Sequence, residues 1–424
     1  MAYRILTIAE IPKYLGSLEE MQKIFTDFNN LEVEEVGDGN LNYVFLIKNS
    51  KNPQETVVLK QAVPYLRVVG ESWPLKRERM TIEIMALQKE IELCPQHVPE
   101  VYYGSHEMSL VIMENLSAHK VLRGEIIQGK VFRNFAEHIS TFMAEVLFKT
   151  SDLCLDHQTK KEMVSKYINY DLCKITEDFV FTTPYEKHET NVYNPELTEE
   201  DLNFIQQDHD LKIAVAEMKY KFMNNAESLL HGDLHIGSIM VNENETYVID
   251  PEFAFYGPMG FDVGALIGNL LMSYFSHEHR QQLLGREPYD YRKWLLDTIE
   301  SVWIKFAEKF EALWIEEQLR NPQLAWNYPE GEQHFKVLRE RFIARLFSDT
   351  VGFAACKMMR RILGLAKVAD IAEIENLQER ARIERMTLKL GKQMVIERDS
   401  IKDIAEVLNL AKEAFPAGLV LLKS

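Results

Sequence analysis

Cysteine is scarce in this chain: four occur in 424 residues, and Cys94, Cys154, Cys173 and Cys356 stand far apart with no C-x-x-C pair. That spacing excludes a disulfide framework and a cysteine-built zinc site, and it fits reduced thiols in a cytoplasm. Long apolar runs are missing as well. None approaches the ~18 residues of a membrane span, and the opening ten residues lack the apolar core of a secretion signal. The expectation is a soluble, cytoplasmic protein. Positive charge is in deficit, 48 Lys and Arg against 65 Asp and Glu, for a net charge of −17. Such an acidic balance argues against nucleic-acid or anionic-membrane binding as the main activity. A small anionic ligand stays compatible with it, because that needs only a local cationic pocket. Internal repeats and low-complexity tracts are absent too.

What is present is a globular composition, 46% hydrophobic and 27% charged, with 22 Phe, 17 Tyr and 5 Trp to pack. The length is enough for two or three domains. Residues 33–36 and 43–47 flank the turn Gly37-Asp38-Gly39-Asn40, a strand–turn–strand signal, and Thr56-Val57-Val58-Leu59-Lys60 reads as a third strand. A helix is expected over 75–92, with Met80, Ile84, Leu87 and Ile91 on one stripe. Two further strands are expected at 98–103 and 109–113. From about Ser117 the pattern turns helical, notably over 135–147, 291–319 and 336–351, interrupted by short strands within 238–250. The segments 182–210 and 321–332 read as surface excursions. A sheet-bearing lobe (1–116), a link at 114–117 and a mostly helical lobe (117–424) follow. A cleft between two lobes is a favoured ligand site.

The segment His231-Gly232-Asp233-Leu234-His235 sets histidines at i and i+4, but the Glu of a helical zinc motif is missing and Gly232 weakens a helix. Asp233 fits a catalytic loop, accepting a hydroxyl proton during phosphoryl transfer; it fits equally an Asp capping a turn. Asp250-Pro251-Glu252 follows a short strand, so two carboxylates at i and i+2, stiffened by Pro251, could share a hard cation such as Mg²⁺, or form a plain acidic turn. Upstream, the Gly37–Asn42 turn could bring backbone amides to a triphosphate. Lys60 ends its strand where a cation could grip phosphates. Glu83 lies about 60° from Met80 on the helix wheel, better placed than Glu78 to reach Lys60. Each signal is weak alone. Their order of Gly turn, strand Lys, helix Glu, lobe link, His-Gly-Asp loop and strand-end Asp is that of kinase-like phosphotransferases.

Two stretches sharpen this: His231-Gly232-Asp233-Leu234-His235-Ile236-Gly237-Ser238, and the run from Ile249-Asp250-Pro251-Glu252-Phe253 to Gly260-Phe261-Asp262. With Gly70-Glu71-Ser72-Trp73-Pro74-Leu75 and Cys356-Lys357-Met358-Met359-Arg360-Arg361, they closely resemble the methylthioribose kinase family. That family lies in the aminoglycoside phosphotransferase and choline kinase branch of the protein-kinase-like fold. The resemblance spans about Gly37 to Asp370. It implies an α+β bilobal fold and ATP-dependent phosphorylation of the 1-hydroxyl of 5-methylthioribose, in methionine salvage, by a homodimer. Carried over by position, Asn40 and Lys60, with Glu83 behind it, hold ATP phosphates. The backbone of Glu114, Asn115 and Leu116 holds adenine, Asp233 is the base, and Asp250 and Glu252, either side of Pro251, bind magnesium. Asp262 orients the catalytic loop and Trp73 covers the sugar. One of Arg360 and Arg361, which lie about 100° apart on a helix, faces the cleft. Ser238 stands where many relatives carry a metal-binding Asn, which makes Glu252 the replacement oxygen donor. The rival readings are a choline, homoserine or aminoglycoside kinase of the same fold, and a kinase-shaped binding protein without activity.

Overall fold

Along the strand Asn52–Ala62 side chains alternate between two differently covered faces. Val57 and Leu59 join Phe45, Ile47, Leu110 and Ile112 beneath an amino-terminal layer of Leu6, Ile11, Leu15, Met21 and Phe25. Val58 and Ala62 pack toward Met80, Ile84 and Leu87 of the helix Arg79–Leu93. Lys60 shares that second parity, so its ammonium is delivered beneath the helix. The computed structural model describes residues 3–37, 41–67, 70–321 and 331–415; the turn residue Asn40 and most of the 321–332 segment lie outside them. The sheet has five antiparallel strands in the order Leu31–Glu35, Asn42–Asn49, Asn52–Ala62, Leu110–Met113, Val101–Ser105. Within it Lys60 lies opposite Val44 on one neighbour and Val111 on the other.

The rest is mostly helical, as the α+β bilobal expectation requires. The helices Gly260–Leu283 and Glu332–Leu363 lie unusually close, because Gly260, Gly264 and Gly268 line one face at four-residue spacing. A Cβ on Gly264 would stand 2.6 Å from Thr350 O and 2.8 Å from Ala354 N; one on Gly268 would stand 2.8 Å from Ala354 O. Glycine is required here for backbone approach. Gly264→Ala is expected to destabilise the protein by about 1–3 kcal/mol, the scale of an overpacked core, read as a lower melting temperature.

Two short ladders hold the loops that matter. Ser228–Leu230 pairs with Phe255–Gly257, and Ile239–Val241 pairs with Thr246–Val248. The loop 231–238 and the Asp250-Pro251-Glu252 turn therefore run side by side between them. One sequence expectation is corrected. Residues 182–210 are not a surface excursion: Tyr185, Asn194, Leu197, Ile205 and Gln206 are buried. The helix Glu199–Gln206 starts in a capping box of Thr198 and Asp201, and Asp201 pairs with Arg385 at 2.9 Å. Alternating polar and apolar residues there reflect a layer packed on the helix Leu377–Glu397. All four cysteines are free. Among the described residues no helix is long and apolar enough to cross a membrane.

Candidate active site

Gly232 is where the two loops cross. Its φ is +82°, and a Cβ there would stand 2.1 Å from Phe253 O, so only glycine fits. The loop backbone is then anchored by Asp262, whose carboxylate accepts the His231 amide at 2.7 Å and the Gly232 amide at 3.0 Å. Burial pushes the Asp262 carboxyl up to about 7, against the pull of those two amides. Asp250 has φ +72°, a left-handed conformation rare outside glycine and asparagine-like residues. That conformation turns the Asp250 side chain, 45% exposed, out of the turn.

On one side of the site, Lys60 Nζ donates to Glu83 Oε1 at 2.7 Å, pairs with Asp250 Oδ1 and lies 4.0 Å from Glu252 Oε2. The helix-wheel placement of Glu83 toward Lys60 thus corresponds to a direct ion pair. Burial pushes the Glu83 carboxyl up and the Lys60 ammonium opposes it. Glu252 is fixed from behind: Asn42 Nδ2 donates to its Oε2 at 2.7 Å, and Arg79 holds Asn42 Oδ1 at 2.8 Å. Asn169 Nδ2 ties the turn backbone at Glu252 O and Ala254 O. Pro251 is buried and its carbonyl takes the Ala254 amide, so it shapes the turn. Oxygens of Glu83, Asp250 and Glu252 all lie within 4.8 Å of one another. Three carboxylates around one ammonium are oxygen donors in excess of cation, the donor chemistry a hard divalent ion takes.

On the other side stands Asp233. Lys357 Nζ donates to its Oδ1 at 2.9 Å and His235 Nε2 approaches its Oδ2 at 3.3 Å. Burial alone would raise the Asp233 carboxyl, but Lys357, His235 and Arg361 hold it well below the usual carboxylate range. His231 donates from Nε2 to Ile249 O at 2.9 Å, and burial pushes both histidines down to about 4, so both are neutral at pH 7. Arg360 and Arg361 are both buried, although adjacent on the helix. Arg360 Nη2 is 3.9 Å from Asp233 Oδ1, and Arg361 Nη1 reaches Ala366 O at 3.4 Å. Arg123, paired with Asp370, completes the cationic wall. The Ser238 hydroxyl is engaged inside its own loop: it donates toward Asp233 O and His235 O and accepts the His235 amide.

At the lobe link, Glu114 N–H is spent on Glu100 O and Leu116 O on the His119 amide, both at 2.8 Å. Asn115 braces the link through Thr56 at 2.9 Å. Trp73, partly buried on the strand Gly70–Pro74, packs 5.8 Å from Phe179 of the large lobe. Gly364, at the end of the Arg360-bearing helix, also neighbours Phe179. Trp73 therefore bridges the lobes toward the arginine end of the site.

Residues 32–296 match the family model described as the phosphotransferase enzyme family. A methylthioribose kinase 1 from Oryza sativa subsp. japonica is 42% identical over 412 residues, covering 96% of this chain and 94% of its own. A methylthioribose kinase from Bacillus cereus is 40% identical over 390 residues, covering 92% and 93%. The chain belongs to the methylthioribose kinases of that family. Among solved structures, a choline/ethanolamine kinase family protein from Mesorhizobium loti covers 89% of this chain and 98% of its own, at 13% identity and a TM-score of 0.36.

One residue at the heart of this methylthioribose kinase site escaped sequence reasoning. Lys357 was visible only as part of the segment preceding the arginines, yet it is the cation nearest Asp233. The signal was helical spacing: 357, 360 and 361 stand at i, i+3 and i+4, one face of one helix. Asn42 and Arg79, which clamp Glu252, carry no local signal; only the tertiary fold brings residues 42, 79 and 252 together.

Proposed function

We propose that this kinase transfers the γ-phosphoryl group of ATP to the anomeric 1-hydroxyl of 5-methylthioribose, a methionine-salvage step, with Asp233 taking the hydroxyl proton. The observation that carries the reading is the division of the site. A carboxylate cluster with Lys60 lies on one side, and a single carboxylate ringed by Lys357, Arg360 and Arg361 lies on the other. In this reading residues 1–116 grip ATP and 117–424 hold the acceptor. The Glu114 carbonyl and the Leu116 amide, which have no intramolecular partner among the described residues, take adenine's edge. Asp250 and Glu252 would hold Mg²⁺; Asn42 occupies Glu252 Oε2, and Oε1 takes no hydrogen bond from the described residues. When bound, the ion neutralises phosphate charge.

The bond changes are simple: the sugar O1–H bond breaks, the proton goes to Asp233, O1 bonds to the γ-phosphorus, and ADP leaves with the bridging oxygen. A hemiacetal hydroxyl is more acidic than an ordinary alcohol, so it asks less of a carboxylate base, and a carboxyl held low is ionised and ready to accept the proton at neutral pH. The sugar is uncharged and the group in flight is not, so the buried guanidiniums act on the transition state. Arg360→Lys keeps charge but loses the planar fork. It should lower kcat by about 10–10²-fold with a smaller change in the KM for methylthioribose. Arg361→Lys, farther from Asp233, should lower the melting temperature more than kcat. Steady-state kinetics and melting curves on both variants check this.

An acceptor panel tests the function itself. With ATP and Mg²⁺, ADP release is expected with methylthioribose and not with choline, homoserine or kanamycin; turnover of one of the latter alone overturns the reading. The implied homodimer and cytoplasmic location belong to the same proposal, and light scattering on the purified chain tests the dimer.

A further inference from the structure

We propose that Lys357 is a positioning residue for phosphoryl transfer, fixing the Asp233 carboxylate so that a lone pair faces the acceptor hydroxyl. The proposal rests on the assignment of Asp233 as the group that takes the acceptor proton. Lys357 is 3% exposed, donates to Asp233 Oδ1 at 2.9 Å and lies 4.4 Å above the Phe261 ring. The carboxylate and the ring hold the ammonium from two sides. Both contacts refer back to one rigid element. Phe261 and Asp262 sit on the helix Gly260–Leu283, Asp262 holds the loop amides, and the glycine face of that helix sets the register of the helix that carries Lys357. The second carboxylate oxygen faces His235. His235 Nδ1 accepts the Gly237 amide at 3.0 Å, which assigns the ring proton to Nε2 and makes it the donor to Asp233. With one donor on each oxygen, the carboxylate cannot rotate toward Arg360, whose nearest nitrogen is 3.9 Å away. Burial pushes Lys357 down to about 8 while Asp233 opposes it, so the pair stays charged at neutral pH.

The groups facing Asp233 are Lys357, Arg360 and Arg361 from the helix Glu332–Leu363, His231 and His235 from its own loop, and Asp262 from Gly260–Leu283. Arg123, paired with Asp370, lies behind His235. Removing the Lys357 charge raises the Asp233 pKa, so ionised Asp233 is lost at a higher pH and the acid limb of activity moves up. The remaining cations, Arg360 and Arg361, still hold the carboxyl down, which limits the size of that move.

The experiment is the pH dependence of kcat and kcat/KM for wild type, Lys357→Met, Lys357→Gln, Asp233→Asn and the Asp233→Asn/Lys357→Met double variant, with melting temperatures. Lys357→Met should lower kcat by about 10–10²-fold, the scale of a misplaced catalytic group, shift the acid limb up and leave the KM for ATP unchanged. Lys357→Gln, which keeps a donor, should retain more kcat yet show the same shift. In the Asp233→Asn background, Lys357→Met should cost about twofold or less. An unmoved acid limb, or the same loss in both backgrounds, overturns the proposal, as does failure of both Lys357 variants to fold. Near-normal activity of Asp233→Asn alone would instead overturn the assignment of Asp233.

Discussion

Asp233→Asn is expected to lower kcat by roughly 10²–10⁴, the usual worth of a positioned general base, with ATP binding close to wild type. Asn keeps the shape and an oxygen for Lys357, but it cannot accept the sugar proton and leaves Lys357 without its counter-charge. Among the described residues Asp233 faces Lys357, His235 and Arg360 and makes no ion pair with Lys60, so the loss should fall on turnover rather than nucleotide affinity. The sign of the pH dependence follows from the same contacts. A carboxyl held below its ordinary pKa stays ionised until the solution is strongly acidic, so wild-type activity should fall only well below pH 4 on its account. The Asn variant should lack that acid limb. Rapid-quench measurement of a single turnover, with nucleotide affinity measured in parallel, checks both points; a variant with more than about a tenth of wild-type kcat contradicts the role.

The second large effect is on metal dependence. Asp250→Asn and Glu252→Gln should each raise the Mg²⁺ concentration for half-maximal activity by about 10–100-fold or more, the loss seen even for groups one shell removed from a metal. Asp250→Asn is a clean substitution, because Asn tolerates the left-handed backbone that residue 250 adopts at φ +72°. Glu252→Gln keeps the Asn42 contact available through its amide oxygen. Thermal stabilisation by ATP with Mg²⁺, against ATP alone, gives a readout independent of turnover. Unchanged Mg²⁺ titrations would return both residues to an ordinary acidic turn.

Local periodicity carried much of the layout. The strand at 56–60 and the stripe of Met80, Ile84 and Leu87 follow from side-chain spacing, and the Glu83–Lys60 pair follows from helix phase, because each depends on residues a few positions apart. The adjacency of Asp250 and Glu252 was likewise written in two positions of one turn. What escaped depends on distance along the chain. Nothing near residue 3 announces that Leu6 and Ile11 cover the outer face of the sheet. The Asn42–Arg79 clamp on Glu252 joins residues 210 apart in sequence. Helix phase sets Arg360 and Arg361 about 100° apart and offers only one of them to the cleft; both are buried because the helix is packed on both sides, with Gly268 against Met358 and Gly391 against Met359. Residues 182–210 looked polar enough for a loop, but Asn194 and Gln206 are buried with partners in Glu384 and Tyr193.

NMR of the reaction product tests most directly whether phosphate goes to the anomeric oxygen of methylthioribose. After incubation with ATP, Mg²⁺ and methylthioribose, a single new sugar phosphate is expected whose phosphorus couples to the proton on C1, formed in step with ADP. Phosphate on the 2- or 3-hydroxyl, or ADP release with no sugar phosphate, would contradict it.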